Sequence, residues 1–301
     1  MSMKELFAQL KHKIQYNFTM ELYNFLYYFH PKQRVIPNVI SIVETLEKIE
    51  SEKCSASRFG DGEMLVLAGY PIRFQKADAR LSKKLIEVIT SQNDKHLVCI
   101  SDTFTDLNRY TRSATRFWRT HFCLYGNLWD KYLKPQSYYN TFITRPYMDF
   151  KSKDECGLWF DLLKKIWNDR DIVFIEGEKS RLGVGNDLFA NAKSIKRILC
   201  PPTNAFDKYD EIVSEAMKQK SDTLFLIALG PTATVLAYDL FKAGYQAIDA
   251  GHVDIEYEWF RMKATKKVKI KSKYVNEAFA GNKIDDSGDI EYNNQIICTI
   301  K

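Results

Sequence analysis

"TLFLIALGPTATVLAYDL", residues 223–240, runs a strand into a helix without a polar break, and the join between them decides the fold. Leu224 to Leu229 are apolar with no alternation, the mark of a strand covered on both faces. Gly230 interrupts the run, Pro231 suits a first helical turn, and Thr232 and Thr234 bring hydroxyls to the free N–H groups of that turn. A doubly buried strand that feeds a helix is the repeating unit of a parallel α/β sheet.

The same pattern recurs along the chain. Short bounded apolar runs stand at 96–100 (HLVCI), 171–177 (DIVFIEG), 194–200 (SIKRILC) and 245–251 (YQAIDAG), with CSASRF (54–59) as a further short strand. Helical periodicity marks 39–50, 79–92, 154–168, 207–220 and 232–243. Strands alternating with helices predict a mostly parallel sheet with helices on both faces. The stretch 104–150, rich in Arg, Tyr and Trp, reads as an insertion or a lid over a site.

The first 36 residues form a separate amphipathic layer. Phe7, Leu10, Ile14, Phe18, Phe25 and Phe29 fall near one helical stripe, and Lys4, Lys11, Lys13, Lys32 and Arg34 outnumber Glu5 and Glu21. Such a helix either lies on a membrane surface or packs on the body of the protein or on a second subunit. Pro31 and Pro37 close it, so the chain divides into a helical extension over 1–38 and a single domain over 39–301.

With 301 residues, 45% hydrophobic and 14% aromatic, the chain has the means for a sizeable core. No apolar run approaches the roughly 20 residues of a membrane helix, and the start, MSMKELFAQLKHK, has no apolar signal region. Six scattered cysteines without C-x-x-C spacing read as free thiols, and a cytoplasmic setting, with membrane association through the amphipathic start, is the expectation. The net charge of +6 is mild. Its densest cluster, MKATKKVKIKSK at 262–273, is read as a solvated surface strand or loop, or alternatively as a patch for acidic lipid or a phosphorylated substrate. No nucleic-acid motif accompanies it.

In a parallel sheet ligands bind beyond the carboxyl ends of the strands, and the informative residues collect there. After 171–177 comes a loop with Arg181, Gly183, Gly185 and Asn186; after 223–230 come Gly230 and Thr232. Glycines at such turns let backbone N–H groups approach an anion, and two such loops suit a diphosphate. After 245–251 follow His252, Asp254, Glu256 and Glu258 among aromatic residues, where a carboxylate can act as a general base. In "SASRFGDGEMLVL", 55–67, Asp61 and Glu63 flank one glycine on a tight turn. Mg²⁺ or Mn²⁺ takes one or two such carboxylates and completes its shell with water and phosphate oxygens.

Five blocks in order, SRFGDGE, EGEKSRLGVGNDLF, RILCPPTNAFDKYDEI, LGPTATVLAYDL and GYQAIDAGHVDIEYEWF, resemble the GT-D-type bacterial glycosyltransferases, over about residues 40–301. The resemblance implies a Rossmann-like single domain with Mn²⁺ or Mg²⁺ on Asp61 and Glu63. It implies donor contacts at Arg58, Phe59, Gly60 and the loop around Arg181, Gly183, Gly185 and Asn186, and a catalytic block holding His252 and Glu258. It further implies transfer of a sugar, often glucose, from a nucleotide donor such as UDP-glucose to a glycan or glycoprotein acceptor in surface glycan or adhesin glycosylation. Glu258 is the favoured base, with Asp254 and Glu256 beside it. A metal-dependent phosphoryl or nucleotidyl transferase and a non-catalytic partner of a glycosyltransferase are the alternatives.

Overall fold

The computed structural model describes residues 18–29, 35–271, 273, 275 and 289–301. Phe7, Leu10 and Ile14 of the expected N-terminal stripe, and Pro31, lie outside the described residues.

Nine strands form one sheet in which every pairing is parallel. They are β1 (Asn38–Val39), β2 (Ser55–Arg58), β3 (His96–Ile100), β4 (Ser137–Asn140), β5 (Asp171–Gly177), β6 (Ser194–Cys200), β7 (Leu224–Ala228), β8 (Gln246–Asp249) and β9 (Ile296–Thr299). Their order across the sheet is β1-β4-β3-β2-β8-β7-β5-β6-β9. The expected strands at 96–100, 171–177 and 194–200 are present with those bounds, and those at 223–230 and 245–251 are present but shorter. β1, β4 and β9 carry too few residues for periodicity to mark them, and two of the three are edge strands. The expected boundary at 38/39 falls inside β1.

The helices are α1 (18–26), α2 (Ile42–Glu52), α3 (Asp61–Leu67), α4 (Ala79–Ile89), α5 (Arg112–Tyr132), α6 (Cys156–Ile166), α7 (Tyr209–Ala216), α8 (Pro231–Lys242), α9 (Val253–Arg261) and α10 (Ile290–Gln295). A capping box starts α2: the Ser41 hydroxyl accepts from Glu44 N at 3.2 Å and the Glu44 carboxylate accepts from Ser41 N at 3.3 Å. This cap sets the helix start three residues past the run of Val39–Ile40 that suggested it, and frees Val39 for the sheet. α8 is buried along nearly its whole length because it lies across β2 and β8 and is itself covered by α4. α4, α7 and α8 cover one face of the sheet, while α2, α6 and α9 cover the other.

The segment 104–150 is built into the domain, and Ser113, Phe117 and Trp118 within it line the cleft at the carboxyl edge of the sheet. It supplies α5, which packs on α3, and β4, which joins the sheet beside β3. α1 packs on α5 through Asn24, whose amide nitrogen lies 2.9 Å from Arg116 O and 3.2 Å from the Thr120 hydroxyl, with a Glu21–Arg116 ion pair at 2.7 Å beside it. The phenylalanine stripe faces the other way: Phe18, Phe25 and Phe29 are 70%, 61% and 72% exposed. A helical stripe reveals amphipathicity but not which of two faces meets the body, and here Met20 and the buried Asn24 form the contact.

A buried ion pair fastens the β5 end of the sheet. Glu176 and Arg197, on neighbouring strands, are both buried and bonded to each other. Glu176 also accepts from Leu182 N at 2.8 Å, and Arg197 donates to Leu182 O at 2.8 Å and to the Gln295 amide oxygen at 2.7 Å. The pair thus holds the loop after β5 and ties α10 to the sheet. Glu176→Ala should cost about 3–5 kcal/mol in urea unfolding because it strands a buried guanidinium, whereas the double change Glu176→Met with Arg197→Met should recover most of that loss.

Candidate active site

β5 leads outward to β6 while its neighbour β7 leads the opposite way to β8, so loops diverge at the carboxyl edge of the sheet. A cleft of about 790 Å³ opens along that edge, lined from the ends of β2, β4, β5, β6, β7 and β8.

Arg58, the last residue of β2, forms its floor. Its guanidinium reaches across to β8 and donates to Asp249 O and to the Asp249 carboxylate, both at 2.8 Å. Thr234 of α8 places its hydroxyl 3.0 Å from Arg58 O and 3.2 Å from the same carboxylate. Gly251 makes room for this arrangement: a β-carbon there would stand 1.9 Å from the guanidinium, and the backbone has φ +48°. Burial pushes the Asp249 carboxyl up and the guanidinium opposes that shift.

Gly60 follows, and Asp61 and Glu63 open α3; the expected acidic turn is the first turn of a helix. One Glu63 oxygen accepts from Gly60 N at 2.9 Å. Glu63 lines the cleft from the first turn of α3, and burial, then the charge of Asp249, push its carboxyl up to about 7. Phe59 is buried beneath, its N–H on Cys99 O at 2.8 Å, and does not line the cleft.

The loop after β5 divides its residues. Gly177, Lys179, Ser180 and Leu182 line the cleft, whereas Arg181, Gly183, Gly185 and Asn186 do not. Arg181 lies over the ring of Tyr292 at 5.7 Å. Gly183 N and the Asn186 amide donate to one oxygen of Asp254 at 3.0 and 2.7 Å. The loop therefore turns its second half towards α9. After β7, Gly230 lines the cleft with φ +56° and the Phe74 ring packed on it, where a β-carbon would come within 2.5 Å of the ring. Thr232 is buried, with its hydroxyl 3.5 Å from the Gln75 amide oxygen.

The four residues of the 252–258 block separate. His252 lines the cleft, and an Arg145 guanidinium nitrogen stands 3.2 Å from its Nδ1. Asp254 lines it too, but its second oxygen is held by the buried ammonium of Lys273 at 2.7 Å. Glu258 does not line the cleft; its carboxylate takes the Asn186 amide at 2.7 Å and Lys273 at 3.2 Å. Glu256 points away from both, fully buried, and one of its oxygens accepts from Tyr147 N at 3.1 Å and Met148 N at 2.7 Å. The helical period places Asp254 and Glu258 on one face, as the spacing implies, but that face meets Lys273 and Asn186. The lysine cluster is a loop, solvated at Lys263, Lys266, Lys269 and Lys271 as expected, but Lys273 is buried and Lys267 lines the cleft.

Sequence reading missed several lining residues: Phe74, Phe117, Trp118, Arg145, Asp149 and Lys179 among them. Pro201–Asn204, directly after β6, carry the one signal that could have marked an additional loop at the carboxyl edge. Arg145 and Asp149 follow β4, a strand that periodicity does not reveal.

Glu256 carries a consequence for stability. Burial, and next the charge of Asp149, push its carboxyl up to about 7 against the opposing charges of Arg145 and Lys267. A carboxyl with a raised folded pKa contributes stability below its unfolded value near 4.5, and that contribution is lost as pH rises through about 7. Urea unfolding of the wild type and Glu256→Gln across a pH series should show the wild type losing ground by up to about 3 kcal/mol between roughly pH 5 and pH 8.

Comparison with known proteins agrees with this architecture. Residues 56–278 match the family model for the glycosyltransferase GT-D fold. A probable glycosyl transferase Gly of Streptococcus gordonii is 41% identical over 273 residues, covering 90% of this chain and 40% of the relative. The glycosyltransferase GlyD of Streptococcus pneumoniae serotype 4 is 42% identical over 266 residues, covering 88% of this chain and 33% of the relative. The chain thus spans well under half the length of these two relatives. A solved domain, first known as domain of unknown function 1792 and described as having a distinct glycosyltransferase fold, superposes with a TM-score of 0.84 at 39% identity, covering 94% of this chain and 99% of that one. The chain belongs to the GT-D-fold glycosyltransferase family.

Proposed function

We propose that the protein transfers a hexose, glucose first among them, from a nucleoside diphosphate sugar such as UDP-glucose to a hydroxyl of a glycan or glycoprotein of the bacterial surface. The observation that carries this reading is the pairing, in one cleft, of the Asp61 and Glu63 carboxylates with cations from separate parts of the chain, among them Arg58, Arg73, Arg116, Arg145, Lys179 and Lys267. A diphosphate donor with its metal ion is the ligand class that calls for both signs of charge side by side.

The donor set fits Mg²⁺ or Mn²⁺. Asp61 and Glu63 offer hard oxygens on one helical turn, and among the described residues no group of three or more His, Cys, Asp or Glu forms a closed cage. An ion that takes two carboxylates and fills its shell with water and phosphate oxygens suits such a site. When bound, the ion supplies Lewis-acid neutralisation of the departing diphosphate.

The chain's own residues do the remaining work. Gly177 and Gly230 let Pro202 and Phe74 close over the strand ends, and Lys179 and Ser180 line the cleft where a diphosphate would be bound. The Arg58–Asp249 pair fixes the cleft floor, and Arg145 orients the His252 ring with its Nδ1 as acceptor, leaving Nε2 to carry the proton when the ring is neutral. Among the described residues no helix is long and apolar enough to cross a membrane. The exposed face of α1 presents Phe18, Phe25 and Phe29, which supports contact with a membrane-linked acceptor or a second subunit through this extension.

Purified protein incubated with UDP-glucose and Mn²⁺ should release UDP and free or transferred glucose; release of nucleoside monophosphate would instead point to nucleotidyl or phosphoryl transfer. Asp61→Asn and Glu63→Gln should each lower turnover at least 10²-fold, as for loss of a group that stabilises developing charge, with little change in melting temperature. Full activity in the presence of a chelator would overturn the metal assignment.

A further inference from the structure

Resting on the glycosyltransferase reading, we infer that Asp149 is the general base that takes the proton from the acceptor hydroxyl.

Among the described residues, four carboxylates open on the cleft: Asp61, Glu63, Asp149 and Asp254. The first two are assigned to the metal. Asp254 has Gly183 N and the Asn186 amide on one oxygen and the Lys273 ammonium on the other, so both of its oxygens already carry donors of this chain. Asp149 is different. Among the described residues its carboxylate has one ion-pair partner, Lys267 at 3.7 Å, beyond hydrogen-bond reach, and its side chain retains 17% exposure.

Its placement is also right. The diphosphate-side loops follow β5, β6 and β7, and the Asp61–Glu63 pair follows β2. Asp149 lies in the loop after β4, two strands from β2 in the sheet order, and lines the same cleft as Asp61 and Glu63. This half of the cleft is lined by Phe117 and Trp118 of α5, apolar rings on which the face of a saccharide acceptor can lie.

The loop that presents Asp149 is held by an unusual number of charged groups. The buried Glu256 accepts from Tyr147 N and Met148 N. The Lys153 ammonium donates to Tyr147 O and, at 2.7 Å, to Phe150 O. Thr111 N donates to the carbonyl of Asp149 itself at 2.8 Å. A base has to stand within hydrogen-bond reach of the proton it removes, and a short loop keeps such a position only when its neighbours fix it. Glu256, on the sequence a candidate base, is on this geometry the residue that positions one.

In the step, the acceptor O–H gives its proton to the Asp149 carboxylate. The oxygen's electron pair forms the new bond to the anomeric carbon as the bond from that carbon to the diphosphate breaks. The pair from the broken bond leaves with the nucleoside diphosphate, and the anomeric configuration inverts.

The test uses the full chain with UDP-glucose and Mn²⁺, comparing wild type, Asp149→Asn and Asp149→Ala. Donor dissociation constants are read by calorimetry, transfer to a saccharide acceptor by UDP release and product analysis, and transfer to azide by detection of glycosyl azide. Azide carries no proton to remove, so it bypasses a missing base. Saccharide transfer should fall roughly 10²–10⁴-fold in both variants, donor affinity should stay within about threefold, Asp149→Ala should still form glycosyl azide, and the wild-type product should have inverted configuration. Saccharide turnover within tenfold of wild type, loss of donor binding or of azide transfer in the variants, or a retained configuration would each overturn the assignment while leaving the glycosyltransferase reading intact. A wild type that neither binds nor cleaves a nucleotide sugar would overturn both.

Discussion

The contact between Arg58 and Asp249 is the constraint on which the site depends. It joins β2 to β8 at the middle of the sheet, where the two strands share one Cα pairing, Ala56 with Ile248. The guanidinium lies flat over Gly251, and its bidentate grip on Asp249 fixes where β2 ends and where the chain must turn at Gly60. Asp61 and Glu63 follow within that turn. The position of the carboxylate pair is therefore set from β8, nearly 190 residues further along the chain, and not by the local D-x-E sequence alone.

Around this centre, charged groups that seem suited to chemistry are used to build loops. Glu176 and Arg197 hold the loop after β5 from beneath; Asp254, Glu258 and Lys273 hold its second half against α9; Glu256 and Lys153 hold the loop after β4. Each of these groups is wholly or partly removed from water, where a charge is tolerated only with partners. Backbone N–H and C=O groups of irregular segments are such partners, and they need satisfaction too. The two requirements meet in these contacts, which hold the loops at the rim of the cleft.

The N-terminal helix and the lysine cluster carry a similar lesson. Both are basic and both look like surface features. α1 meets α5 through Met20 and Asn24 and leaves its phenylalanines outside, while the cluster sends Lys273 into the protein and Lys267 into the cleft. Met20 also lines the cleft, so the extension borders the candidate site.

The sequence by itself determined the fold class, because long buried strands such as 171–177 and 223–230 and their following helices announce themselves through local periodicity and turn chemistry. It also determined which edge of the sheet carries the cleft, since Gly, Pro and acidic residues gather after the strands, and it made Asp61 and Glu63 neighbours. It did not determine which of the acids at 254–258 face the cleft. Helical period gives the angle between side chains and says nothing about what stands opposite each one. Lys273, Asn186 and the Tyr147–Met148 backbone come from distant segments, and only packing brings them there. Asp149 and Arg145 were hidden for the same reason: they follow a four-residue strand whose place in the sheet comes from pairing with β3 and β1, a contact that exists only once the chain has folded.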